Sequence, residues 1–175
     1  ISGEAVALNA GSQSNSANAF YLPLHKIKLA LKKLQNDQKI ERGTLQTTFQ
    51  STPYPELMRL GLTEELSTQY RDLYPELKGL LVARFIVPQS FAAEFLAVGD
   101  ILLKVNQQPV ADFISLESAL NNNVNQTIGI DVLRQGELLS YSIQVSDLHE
   151  LTPASYVKFD GGIFHDLSYQ QARHF

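Results

Sequence analysis

Residues 42–147 predict an α+β fold, a small β-rich barrel or sandwich of five to six strands with helices closing its openings. Three observations carry the prediction. Apolar, β-branched runs recur at "GTLQTTF" (43–49), "GLLVARFIV" (79–87) and "DILLKVN" (100–106). Two more runs, "TIGIDVLR" (127–134) and "ELLSYSIQV" (137–145), are separated only by Gln135-Gly136, the spacing of a tight hairpin. Helical periodicity appears between the strands at 54–61, 63–74 and 112–122.

The elements follow in chain order. Short apolar runs at Glu4–Leu8 and Ala19–Leu22 predict two strands, joined by the Gly/Ser/Asn-rich stretch "NAGSQSNSAN". Pro23 precedes "LHKIKLALKKLQ", where Leu24, Ile27, Leu31 and Leu34 share one face of an amphipathic helix and the lysines take the other. The polar linker "NDQKIERG" then sets a domain boundary near residue 40. In "GTLQTTF" Leu45, Thr47 and Phe49 fall on one face of a strand. "YPELMRLG" (54–61) and "TEELSTQYRDLY" (63–74) read as helices, the second with Thr63 as its cap. "GLLVARFIV" is a mostly buried strand, and "SFAAEFLA" (90–97) one or two helical turns. In "VGDILLKVNQQPV" a strand is bracketed by a Gly-Asp turn and a polar turn closed by proline. Asp112 caps a helix with apolar residues at 113, 116 and 120.

Composition removes whole classes of function. The 175 residues carry 14 basic and 18 acidic side chains, a net charge of −4, and no Lys/Arg block longer than Lys32-Lys33. No nucleic-acid partner is expected from that balance. No run approaches the roughly 20 apolar residues that span a bilayer, and residues 1–20 lack the charged-then-apolar order of a signal peptide, so no membrane partner is expected. The absence of Cys removes thiolate chemistry and leaves the compartment open. The start on "ISGEAVALNAG" and the end inside the helix-like "SYQQARHF" predict a piece of a longer protein.

The segment "GLLVARFIVPQSFAAEFLAVGDILLKVNQQPV" (79–110) resembles the PDZ domain of HtrA/Deg proteases, with their order of strand, P-x-S-x-A, turn, x-G-D-x-I/L, strand and polar turn. Gly99 suits a turn that needs no Cβ, and Asp100 can accept bonds from nearby amides. Phe95-Leu96 stand where that family usually has Ala-Gly, which predicts a differently shaped turn. The flanks share the resemblance. "SGEAVALNAGSQSNSANAFYLPLHKIKLALKKL" is similar to the end of an HtrA serine-protease domain, and "DLHELTPASYVKFDGGIFHDLSYQQARHF" to the entry into a second PDZ-like unit. "RGTLQ", "RLGLT", "DLHELTP" and "FHDLSYQQAR" resemble the large two-half, pro-apoptotic HtrA-like type of fungal nuclei. The implied domains are residues 1–40, the last strands and helix of a trypsin-like β-barrel; 41–147, a PDZ domain; and 148–175, a linker and the start of a second PDZ-like unit.

What the resemblance implies is a regulatory peptide-binding region. PDZ domains bind by β-augmentation, with the ligand's terminal carboxylate on a nest of amides. The matching loop and groove strand are Gly43, Thr44, Leu45, Gln46, Thr47 and Phe49, with Leu116, Ala119 and Leu120 on the opposite wall. Glycine falls first in that loop and not third. The implied partners are peptides or unfolded protein segments, hydrophobic or C-terminal, and other domains of the parent protease. No cofactor and no metal are implied, and the compartment is the nucleus for a fungal-type parent or the periplasm for a bacterial one.

A second reading takes the region as a structural module that binds no free peptide, with the helices at 54–74 covering the groove. Catalysis needs a Ser-His-Asp triad. The chain contains no Gly-x-Ser-Gly nucleophile run and no Gly-x-Ser-x-Gly elbow, so no catalytic residue is assigned. His25, His149, His165 and His174 lack the i, i+4 spacing of a zinc site and read as surface or capping residues. Gly161-Gly162 reads as a turn, or as a second carboxylate-type loop.

Overall fold

The computed structural model describes residue 5, residues 7–12 and residues 19–172. The chain divides into two compact units, residues 1–40 and 41–175. In the first, β1 (Ala7–Ser12) pairs antiparallel with β2 (Ala19–Pro23), and α1 (Leu24–Gln35) follows directly. The first strand runs past its expected end at Leu8. A bulge between Asn9 and Gly11, where the Asn9 side chain accepts the Gly11 amide at 2.9 Å, absorbs the turn-forming residues into the ladder. Helix α1 has the predicted three turns, yet Leu31 and Leu34 of its apolar stripe are 52% and 59% exposed.

The second unit opens with β3 (Gly43–Thr44) and β4 (Thr47–Pro53). Helices α2 (Tyr54–Arg59) and α3 (Glu64–Leu73) follow, then β5 (Gly79–Ile86) and a 3-10 turn at Phe91–Glu94. After these come β6 (Ile101–Val105), β7 (Gln108–Pro109), α4 (Phe113–Asn121), β8 (Thr127–Arg134), β9 (Glu137–Gln144) and β10 (Ser146–Asp147). The chain continues into β11 (Val157–Phe159), β12 (Gly162–Phe164) and α5 (Tyr169–Ala172).

One antiparallel sheet organises the unit, in the order β4-β5-β6-β8-β9 with β7 on β6, while β3 pairs separately with β10. The architecture is α+β as the sequence predicts. The main sheet is open, with β4 and β9 as its outer strands, so it does not close into a barrel.

Alternation along β5 sends Leu81 and Ala83 into one core and Leu80 and Val82 into another. The first core lies beneath α4, where Leu116 and Leu120 meet Leu45, Phe49, Leu102 and Ile130. The second lies on the opposite face, where Tyr54, Leu57, Leu62 and Tyr70 from α2, α3 and their connection cover Leu80, Val82, Ile101 and Leu103. Each fully buried leucine is worth about 1.5–3 kcal/mol, so the two helices stabilise a face of the sheet that would otherwise be wet. Covering the groove is not their role: they sit across the sheet from α4.

Local signals act as the residue types dictate. The Thr63 hydroxyl accepts the Leu66 amide at 3.3 Å, and the Asp112 carboxylate accepts the Ser115 amide at 2.8 Å. Gln135 and Gly136 both take positive φ (51° and 86°), a type I′ turn matched to the twist of β8 and β9. Of the one or two helical turns expected at 90–97, one forms, a 3-10 turn at Phe91–Glu94.

Asp100 answers the Gly-Asp signal at the start of β6. Gly99 turns at φ 98°, and the buried Asp100 carboxylate accepts the Ala97 amide at 2.8 Å. It also accepts a two-pronged contact from Arg134, Nε at 2.7 Å and Nη2 at 2.8 Å. Phe95, out of the family pattern, packs on Tyr141 with ring centroids 5.6 Å apart, and its carbonyl accepts the Arg134 Nη2 at 2.8 Å. The altered turn thus fastens 95–100 to the β8–β9 hairpin.

Candidate functional site

The strand β4 has one strand partner, β5, and among the described residues no strand pairs with its other edge. In an antiparallel ladder alternate residues turn their backbone groups to opposite sides. The Gln46 carbonyl accepts the Val87 amide at 3.0 Å, on the β5 side, so the amide and carbonyl of Thr47 face the open edge. The wall beside that edge is α4, placed by the shared packing of Leu116 and Leu120 with Leu45 and Phe49.

The loop before β4 is held by residues from three elements. Gly43 donates its amide to the Asn121 Oδ1 at 2.9 Å, and Gly43-Thr44 pair with Ser146-Asp147. A Cβ on Gly43 would stand 2.2 Å from the Leu120 carbonyl oxygen, so only glycine lets the loop close on the end of α4. Thr44 Oγ1 accepts the Gln46 amide at 2.9 Å, and the Thr47 hydroxyl donates to the Leu45 carbonyl at 3.2 Å. Gln46 takes φ 53°, the left-handed conformation that costs a side-chain-bearing residue about 1–2 kcal/mol. Gln46, the fourth loop position, therefore bends as a glycine would.

The charges around the loop are mixed. The Arg42 guanidinium lies 3.9 Å from Glu117 on α4, both side chains being exposed, which makes the pair worth little. Asp147 is buried, and its Oδ1 accepts the amides of Arg42 at 3.2 Å and His149 at 3.0 Å.

The nine sequence-assigned residues therefore divide into two groups. Leu45, Phe49, Leu116 and Leu120 are buried at 3–9% exposure, and Thr44 is closed off by its pairing with β10. Gly43, Gln46, Thr47 and Ala119 keep partial exposure. Sequence reasoning missed Asn121 as the clamp on Gly43, because Asn121, Asn122 and Asn123 are alike in sequence and only the end of α4 singles out the first. It also missed Thr44 as an acceptor inside the loop. Gly161 belongs to a hairpin turn, Asp160 and Gly161 taking φ 46° and 79° between β11 and β12, and Gly162 opens β12 opposite Phe159. The rings of His25 and His174 lie outside the described side chains; the His165 Nδ1 sits 2.7 Å from the Asp166 carbonyl.

No protein-family profile matches the chain. Curated proteins do. The chain is 40% identical over 173 residues to the pro-apoptotic serine protease NMA111 of Yarrowia lipolytica, covering 99% of this chain and 18% of that protein. It is 42% identical over 184 residues to protease Do-like 7 of Arabidopsis thaliana, covering 99% of this chain and 17% of that one. The chain thus spans less than a fifth of the length of these relatives. Among solved structures, the HtrA-type protease AlgW with a decapeptide superposes with a TM-score of 0.54 at 20% identity, over 83% of this chain and 42% of that one. That likeness is one of fold.

Proposed function

From a chain homologous along 99% of its length to a segment of HtrA-like serine proteases, we propose a regulatory peptide-binding PDZ region within such a protease. Residues 41–147 are the PDZ domain, residues 1–40 the last strands and helix of the trypsin-like domain, and residues 148–175 the linker and first hairpin of a second PDZ-like unit. The region captures extended apolar segments of unfolded or partly folded proteins by strand addition. Catalysis in this reading belongs to the rest of the protease domain, since residues 1–175 contain no Gly-x-Ser-Gly nucleophile run.

The observation that carries the reading is the open edge of β4 beside α4. An added strand would pair with the outward groups of β4, beginning at Thr47, and place alternate side chains toward Ala119. Lysine at Leu45 cannot test this, because Leu45 is 3% exposed and a buried unpaired charge would unfold the unit first. N-methylated ligands test it directly. A binding decapeptide methylated at successive backbone amides loses affinity in calorimetry at every second position; a loss without that period, or no binding across a varied library, overturns the proposal.

A second reading, a structural module with no free ligand, is favoured by the near-complete burial of Leu116 and Leu120, which leaves little apolar surface for a ligand side chain. Amide exchange on the 175-residue chain separates the two. An open groove leaves the outward β4 amides, Thr47 among them, fast; protection of those amides without ligand supports the structural module.

A further inference from the structure

Where the connection from α2 to α3 meets the β8–β9 turn, a cavity opens that none of the nine groove residues lines. The meeting is close because both segments use glycine. A Cβ on Gly61, which turns at φ 102°, would stand 2.4 Å from the Gly136 amide nitrogen. The contact brings Arg59, from the last turn of α2, and Arg134, from the end of β8, to one cavity of about 460 Å³. Val98 and Gly99 form part of its wall. We propose that this cavity binds the carboxylate of an acidic side chain, aspartate or glutamate, on a peptide segment, at a site separate from the β4 edge.

Charge carries the proposal. Residues 41–175 hold nine basic and sixteen acidic side chains, yet this cavity is lined by two arginines and no acid. Arg59 is exposed and forms no hydrogen bond or ion pair with any described residue. Arg134 donates from Nε and Nη2 to Asp100 and from Nη2 to the Phe95 carbonyl; none of these bonds uses Nη1, and the side chain keeps 33% of its exposure. Asp100 cancels the charge of Arg134, so the excess at the cavity is the single charge of Arg59. One cation matches one carboxylate. A phosphate monoester carries nearly two charges and would bring the second toward Glu56, three residues before Arg59, and Glu137, the cross-strand neighbour of Arg134. The backbone adds a donor. The Ala97 amide goes to Asp100 and the Gly99 amide to the Ala83 carbonyl, both at 2.8 Å, whereas the Val98 amide between them meets no acceptor among the described residues. A bare ion of water's size, about 30 Å³, would fill little of the cavity. A side chain brings methylenes that can lie along Leu60 and Val98.

Short peptides blocked at both ends, acetyl-Ala-Ala-X-Ala-Ala-amide with X as glutamate, glutamine or phosphoserine, test this through the amide chemical shifts of the 175-residue chain. Blocking removes every terminal carboxylate, so the X side chain is the only variable. The glutamate peptide is expected to shift Val98, Gly99 and Gln135 saturably, and the glutamine peptide to bind about tenfold more weakly or worse. Arg59→Gln is expected to cut the affinity for the glutamate peptide about fivefold or more without moving the thermal midpoint, and about 0.5 M salt to weaken binding similarly. Equal binding by the glutamate and glutamine peptides, no saturable shift from the glutamate peptide, or an unchanged affinity in Arg59→Gln overturns the proposal. Saturable shifts confined to β4 and α4 overturn it as well, while supporting the groove. Phosphoserine binding more than about tenfold tighter than glutamate overturns the assignment of a carboxylate. The glutamate–glutamine comparison uses the unaltered chain and stands whether or not the variant folds.

Discussion

Gly43 and Leu120 meet so closely that a Cβ on the glycine would lie 2.2 Å from the leucine carbonyl oxygen and 2.4 Å from its carbon. Both obstructing atoms are backbone, so no side-chain rotation relieves them. Gly43→Ala is expected to cost about 1–3 kcal/mol in urea unfolding, as overpacking does, and to break the Gly43–Asn121 bond. Unchanged stability would place the loop away from α4.

The Asp100–Arg134 pair predicts an asymmetry. Asp100 is fully buried while the Arg134 side chain keeps 33% of its exposure. The bonds to Asp100 hold the arginine more firmly protonated than usual. Arg134→Met strands a buried carboxylate and is expected to cost about 3–5 kcal/mol. Asp100→Asn leaves a cation that can turn to water and is expected to cost less, about 1–3 kcal/mol. Equal losses in denaturant titrations would refute the asymmetry.

Tyr70 predicts alkaline sensitivity. Its hydroxyl donates to the Leu103 carbonyl inside the second core, and burial pushes the phenol well above its ordinary range. The unfolded chain loses the corresponding proton near pH 10. From there upward the folded state binds more protons than the unfolded, so stability falls by up to about 1.4 kcal/mol per pH unit for this group. Tyr70→Phe should flatten the decline in thermal melts between pH 9 and about 11. Part of the slope should remain, because burial also raises Tyr54.

Ala119 lies on α4, is only partly buried and packs against the first core. Ala119→Trp is expected to weaken decapeptide binding by about tenfold while moving stability by less than about 1 kcal/mol. A variant that binds as the parent does would move the groove wall elsewhere.

The Thr63 and Asp112 caps, the Gln135-Gly136 hairpin and the strand after Gly99-Asp100 were legible because each depends on neighbours within a few residues. The nearly unbroken apolar run of "GLLVARFIV" likewise disclosed a mostly buried strand. At 90–97 the one turn that forms stops before Phe95, which is held by Tyr141 and Arg134.

By itself, then, the sequence determined the α+β class and the order of elements through short-range periodicity, the net charge of −4 through composition, and the resemblance to HtrA-type PDZ regions through the motifs of 79–110 and its flanks. Tertiary structure alone decided which face α2 and α3 cover, since both faces of β5 are apolar and the pattern cannot choose between them. It alone decided that Asn121, 78 residues away, clamps Gly43, and that Arg134, 34 residues away, neutralises Asp100. It also decided that Gln46 bends as glycine would while Thr44 takes its amide. Those choices depend on distances between segments far apart in the chain, and packing, not propensity, sets them.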